Sequence, residues 1–314
     1  MDDMDLASQP HQENTEPELN GVPPIHAIFR FLIAAAVTWL VNWAAATSAF
    51  GVFGNHLLFA DLAYRVVGAA LLIGIYALLL SLLDHREGNR LAGQGLPLNR
   101  LARRQFLAGL AFGMLLIAIC VALVATFGHY QTRVTITAHT LKLGAEVLSL
   151  LFAGALLEEV MFRGYPFQRL VEAVGPVWAV TVASALFAAA HLGNPNASGV
   201  LSWAFFNTIA IGVLLAIVYL RTRTLWLPFG IHFGWNFALG FVFGLPVSGL
   251  SDFSVLVHGS IRGPQWLTGG AYGLENSGAA AFLLGLSLLV ALRGWRAWAK
   301  KYAPDSRGVV GTLV

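Results

Sequence analysis

The residues in this chain best suited to chemistry are a few polar side chains inside otherwise apolar stretches. Glu158 and Glu159 sit side by side in Leu156-Leu157-Glu158-Glu159-Val160-Met161-Phe162-Arg163. Neighbouring helical residues point about 100° apart, so the two carboxylates face different surroundings. Glu159 and Arg163 are four apart and share a face, which makes them a natural ion pair. Glu158 is then left to face a cavity, where an unpaired carboxylate suits the work of a general base. The plainer alternative is a structural Glu–Arg pair at the membrane surface, with Glu158 reaching out to water. Further along, Phe187 and His191 share a helix face, and so do His232 and Asn236. A lone His near the end of a span is commonly an interfacial residue, and a His–Asn face can serve as an interhelical hydrogen bond of about 1 kcal/mol. Taken together, the groups allow more. A water held between Glu158 and His191 is open to deprotonation, while His232 and Asn236 can donate hydrogen bonds to a developing oxyanion. That is the outfit of a hydrolase.

The elements that must position these groups are membrane helices. Of 314 residues, 57% are hydrophobic and 11% charged, whereas a soluble domain carries about 25% charged residues. An ordinary soluble enzyme, a disordered chain and a nucleic-acid binder are excluded on that ground. About 20 apolar residues cross a bilayer, and eight candidate spans follow: roughly 27–50, 62–83, 106–127, 142–162, 177–192, 199–220, 227–248 and 278–294. The expected fold is all-α and polytopic, with the candidate catalytic core in helices four to seven. With both termini in the cytoplasm, 15 basic residues fall inside, Arg163 and Arg169 among them, and four fall outside. The positive-inside rule favours that orientation. Trp178, Trp203, Tyr219, Trp226, Trp295 and Trp298 lie near span ends and are expected to anchor at the interface. Gly109-x-x-x-Gly113, Gly230-x-x-x-Gly234 and Gly240-x-x-x-Gly244 permit close helix approach, as in an oligomer face. Cys120 lies in an apolar run and reads as a small buried hydrophobe.

The expected division is a disordered acidic cytoplasmic tail over 1–26 and an N-terminal three-helix membrane region over 27–141. The candidate catalytic core over 142–248 follows, and residues 249–314 supply an outer loop, the last span and a basic cytoplasmic tail. One difficulty stands out. A straight fifth span places His191 about 20 Å from the face where Glu158 lies, at 1.5 Å per residue. A shared site therefore requires residues 164–176 to dip into the membrane, or the span to tilt, or different loop bounds. The expectation is a Glu158–His191 separation of about 6–8 Å, the reach of two groups sharing one water.

Glu158-Glu159-x-x-x-Arg163, Phe187-x-x-x-His191 and His232-x-x-x-Asn236 resemble, in order and spacing, the three motifs of the CPBP intramembrane protease family. That family includes the type II CAAX prenyl endopeptidases and Abi-type proteins. The stretch from Asn207 to Pro228, with Leu225-Trp226-x-Pro228, fits as well. The resemblance covers about residues 142–245 and implies an all-helical membrane endopeptidase acting near the cytoplasmic face on membrane proteins, lipidated proteins or peptides. Carried over, Glu158 is the residue that activates water, with His191 beside it. Glu159, Arg163 and Phe187 support them, and His232 and Asn236 serve the oxyanion or a metal. Two His and a Glu can hold zinc, and the same groups can act without metal. The other readings are a non-proteolytic scaffold or bacteriocin-immunity factor, which needs only the fold, and a proton-coupled transporter, which intramembrane Glu and His would also suit.

Overall fold

The computed structural model describes residues 25–33, 36 and 95–293. Residues 1–24 of the acidic tail, most of the first span, all of the second, and Trp295 and Trp298 of the basic tail lie outside the described residues.

Helix α1 (Arg100–Phe127) begins where the Asn99 side chain accepts a hydrogen bond from the Ala102 N–H. A short strand β1 (His129–Val134) follows, then α2 (Ala138–Arg163). The start of α2 is a reciprocal cap: Thr137 Oγ1 accepts from the Thr140 N–H, and Thr140 Oγ1 accepts from the Thr137 N–H, so two otherwise orphaned donors are satisfied. Helix α3 (Tyr165–Ala190) follows after the single residue Gly164. Helix α4 (Trp203–Thr222) is capped by Ser202, and α5 (Trp226–Phe237) runs on as π-helix through Ala238–Val242. The segment after α5 carries β2 (Val257–Arg262), α6 (Gln265–Thr268), and two 3₁₀ turns, Gly270–Tyr272 and Leu274–Asn276. Helix α7 (Gly278–Leu292), capped by Ser277, ends the described chain.

Among the described residues, three helical stretches, Arg100–Phe127, Ala138–Ala190 and Trp203–Thr222, are long and apolar enough to cross a membrane. Leu101, Leu107, Leu115 and Ile119 of α1 are exposed to the surroundings, as are Leu286 and Leu289 of α7. Such apolar outer faces suit lipid as solvent, and the chain is a mostly helical membrane protein. It is not purely helical. β1 and β2 form an antiparallel pair with His129 opposite Arg262 and Val134 opposite Val257. The strand pair was hidden in sequence because two short polar segments over a hundred residues apart give no local signal of pairing.

The closest crossing is α1 on α5, and glycines make it. A Cβ on Gly109 would lie 2.4 Å from the Leu227 carbonyl oxygen, and one on Gly113 would lie 2.2 Å from that of Ile231. Reciprocally, a Cβ on Gly230 would lie 2.3 Å from the Phe106 carbonyl oxygen and one on Gly234 2.4 Å from that of Leu110. Two glycine motifs thus interlock within one chain, so that backbones touch where lipid offers no hydrophobic drive for association. Below the crossing, Phe106, Phe152, Phe229 and Phe233 stack or meet edge-on, with centroids 4.9–6.2 Å apart, and tie α2 to the same pair.

Two expectations about loops and anchors need correction. Residues 163–176, expected as a cytoplasmic loop, are helical apart from Gly164 and the kink at Gly175, with Tyr165, Phe167, Leu170 and Val171 buried. Arg163 and Arg169 drop out of the surface count accordingly. Both are buried, Arg163 against Glu159 and Arg169 against Glu172 at 2.7 Å. Counting charges cannot tell a basic loop from a buried ion pair. Tyr219 is likewise a core residue, with its hydroxyl accepting from Gln168 Nε2 at 2.7 Å. Trp178 and Trp203 are exposed near helix ends, and Cys120 is fully buried.

Candidate active site

The kink in α3 decides whether a shared site exists. Gly175 has φ 79° and ψ 165°, outside helical values, and Pro176 follows it. A straight helix of 26 residues would span about 39 Å, carrying His191 that far from the end of α2. Instead the two arms fold back at Gly175, and His191, which caps the second arm, returns to the level of Glu158. His191 Nε2 lies 3.9 Å from Glu158 Oε2, closer than the 6–8 Å expected. Gly is suited to the turn because a left-handed φ costs it little, and Pro176 starts the second arm without needing a backbone donor.

Around this point the side chains are layered. Arg163 Nη1 donates to Glu159 Oε1 at 3.0 Å, and both side chains are sealed from solvent. Arg163 Nη2 reaches on to the Gly212 carbonyl of α4. The guanidinium lies 4.4 Å from the centroid of the Phe187 ring, and that ring meets His232 edge-on at 6.0 Å. Glu159 Oε1 also faces His232 Nδ1 at 2.8 Å. A carboxylate there accepts, so Nδ1 carries a proton and the other nitrogen, Nε2, is aimed at Glu158 Oε2 at 3.6 Å. His191 is fixed in the same way, with Nδ1 2.8 Å from the Phe187 carbonyl, which can only accept. Its Nε2 lone pair then faces Glu158.

Glu158, His191, His232 and Asn236 line one cavity of about 780 Å³, bordered also by apolar side chains such as Leu157, Met161 and Phe162. Asn236 stands one turn beyond His232, half-buried in that wall, and is joined to Glu158 or the imidazoles by no hydrogen bond among the described residues. Glu159, Arg163 and Phe187 form the layer behind. Two imidazoles and a carboxylate are donors that suit zinc, but among the described residues no three His, Cys, Asp or Glu groups are arranged to hold a cation.

The sequence reading missed Glu275. It lies in the 3₁₀ turn before α7, yet its carboxylate is on the wall of the same cavity. It accepts from Trp235 Nε1 at 3.0 Å and from the Ser248 N–H. Burial raises its carboxyl above the usual carboxylate range, and the Ser248 and Trp235 hydrogen bonds partly offset that. A Glu in a Gly- and Ser-rich loop looks solvated, so no signal marked it. Asn207, also on the wall, did carry a signal, being an amide within an apolar helix. Its Nδ2 donates to the carbonyls of Glu275 and Ser277, both at 2.9 Å.

Residues 140–238 match the type II CAAX prenyl endopeptidase Rce1-like family. The match contains all three motifs and supports the CPBP/CAAX protease family that they resemble. The matched family suggests a CAAX-type membrane endopeptidase. Searches of the curated proteins and of the solved structures gave no match.

Proposed function

We propose that this chain is a multi-pass membrane endopeptidase that hydrolyses peptide bonds of membrane-associated or lipidated proteins near the cytoplasmic face, with Glu158 as general base. The observation that carries the reading is the convergence of His191 Nε2 and His232 Nε2 on Glu158 Oε2, at 3.9 and 3.6 Å, on a cavity wall. That oxygen is shielded and makes no hydrogen bond among the described residues.

A water between Glu158 and His191 donates one hydrogen to the carboxylate and the other to His191 Nε2. Its lone pair is thereby turned toward a substrate carbonyl. As the water oxygen forms the new C–O bond, Glu158 takes the proton, and the carbonyl oxygen becomes an oxyanion. Asn236 Nδ2 and His232 Nε2 stabilise that charge. Donation by His232 Nε2 requires the doubly protonated ring, whose second proton points to Glu159. Collapse of the adduct breaks the C–N bond, and the proton on Glu158 passes to the leaving amine. Arg163 holds Glu159, and Glu159 holds His232, so the buried pair acts through the imidazole. The side chains alone complete this cycle.

The test is a comparison of membranes containing the wild-type chain or Glu158→Ala, scored for new protein termini. Termini that vanish in the variant at equal expression are expected. A Glu158→Ala chain that retains cleavage removes the assigned base, and one that fully complements the cellular phenotype favours a scaffold.

A further inference from the structure

The segment after α5 contributes a carboxylate to the cavity, and its bonding is unusual for a loop residue. One oxygen of Glu275 accepts from the Trp235 indole, and the other accepts from the Ser248 backbone. Trp235 lies on α5 between His232 and Asn236 in sequence, three residues after the one and next to the other. The backbone of the Glu275 turn is fastened separately to α4. Asn207 donates to the Glu275 carbonyl, and Asn276 Oδ1 accepts from the Ala204 N–H at 2.8 Å. Ser248, at the other end of the link, has φ 49°, a left-handed conformation that costs a non-glycine residue of order 1 kcal/mol and persists only where neighbours hold it. Ser248 and Gly249 form a tight turn closed by paired Val247–Leu250 backbone hydrogen bonds, and the Ser248 N–H is aimed from that turn at Glu275. Both ends of the link, and Glu275 itself, line the same cavity as Glu158 and His191.

We propose that Glu275 is a positioning residue of the hydrolytic site, pinning Trp235 and the Ser248 backbone so that α5 presents His232 and Asn236 to the cavity at a fixed rotation. This rests on the proposed endopeptidase function. The carboxylate touches neither the attacking water nor the scissile bond; it acts through α5. A helix rotation that moves His232 by about 1 Å is enough to cost on the order of 10²-fold in rate. Apolar packing alone resists such a rotation less sharply than two hydrogen bonds to one rigid group.

The test uses the full chain in detergent micelles, with an internally quenched farnesylated peptide ending in a CAAX box as probe. Glu275→Ala is expected to lower kcat on the order of 10²-fold with KM unchanged. Glu275→Gln offers its single amide oxygen to only one of the two donors and is expected to fall between Ala and wild type. In a Cys120→Ser, Ser248→Cys background, labelling of position 248 by an aqueous maleimide should speed up several-fold when Glu275→Ala is added. A kcat equal to wild type in both Glu275 variants overturns the proposal, as does a loss confined to KM or matched by a fall in melting temperature. Failure of the wild type to cut the probe overturns the hydrolytic reading and this inference with it. Labelling that does not change overturns the pin alone, so the two failures are distinguishable.

Discussion

Glu159 makes two contacts with one oxygen, to Arg163 and to His232. Removing one partner from a buried ion pair costs about 3–5 kcal/mol, because the remaining charge is stranded. Arg163→Met should therefore lower the melting temperature of the purified chain markedly. Glu158→Gln, at a half-exposed position, should leave it unchanged while abolishing cleavage. Glu159→Gln separates orientation from charge. Its amide can turn NH₂ or O toward His232 Nδ1 but no longer stabilises a doubly protonated ring, so cleavage should fall by roughly 10²–10⁴-fold. A kinetic trace equal to wild type would remove Glu159 from the proton arrangement.

At the scale of elements, the α1–α5 crossing and the α3 kink carry the geometry. A side chain at Gly113 would have to enter the space of the Ile231 carbonyl. Gly113→Leu should push α5 off α1 and destabilise the chain by about 1–3 kcal/mol or more, as overpacking does, with activity lost alongside. Thermal unfolding in detergent reads the first effect. Gly175 differs, since no atom lies within 4 Å of where its Cβ would be. Gly175→Ala therefore tests backbone strain alone, at about 1–3 kcal/mol for φ 79° and ψ 165°, a region essentially confined to glycine. Because that turn returns His191 to Glu158, activity should drop by more than stability. Equal small losses in both would show that the kink does not set the site.

For the whole molecule, all three glycine motifs are packed against other parts of the same chain. Gly109→Leu should accordingly unfold the protomer rather than convert a dimer to a monomer, which light scattering of the detergent-solubilised chain distinguishes. A strong chelator followed by dialysis should leave the rate of probe cleavage unchanged. Loss of activity restored by zinc would replace the side-chain mechanism with a metal-assisted one.

The sequence by itself determined the membrane class, most of the helices and the pairing of Glu159 with Arg163, because these rest on local composition and on the 3.6-residue period. It also singled out Glu158, His191, His232 and Asn236, because polar groups in apolar runs need a reason. Only the tertiary structure decided that His191 reaches Glu158, since that depends on a fold-back at Gly175 whose angle no periodicity reports. Tertiary contact likewise decided that residues 165–174 are buried helix and that two glycine motifs face each other within the chain. It also placed Glu275, from a polar loop, beside the imidazoles. Each of these is a contact between residues far apart in the chain, where spacing along the sequence carries no information about distance in space.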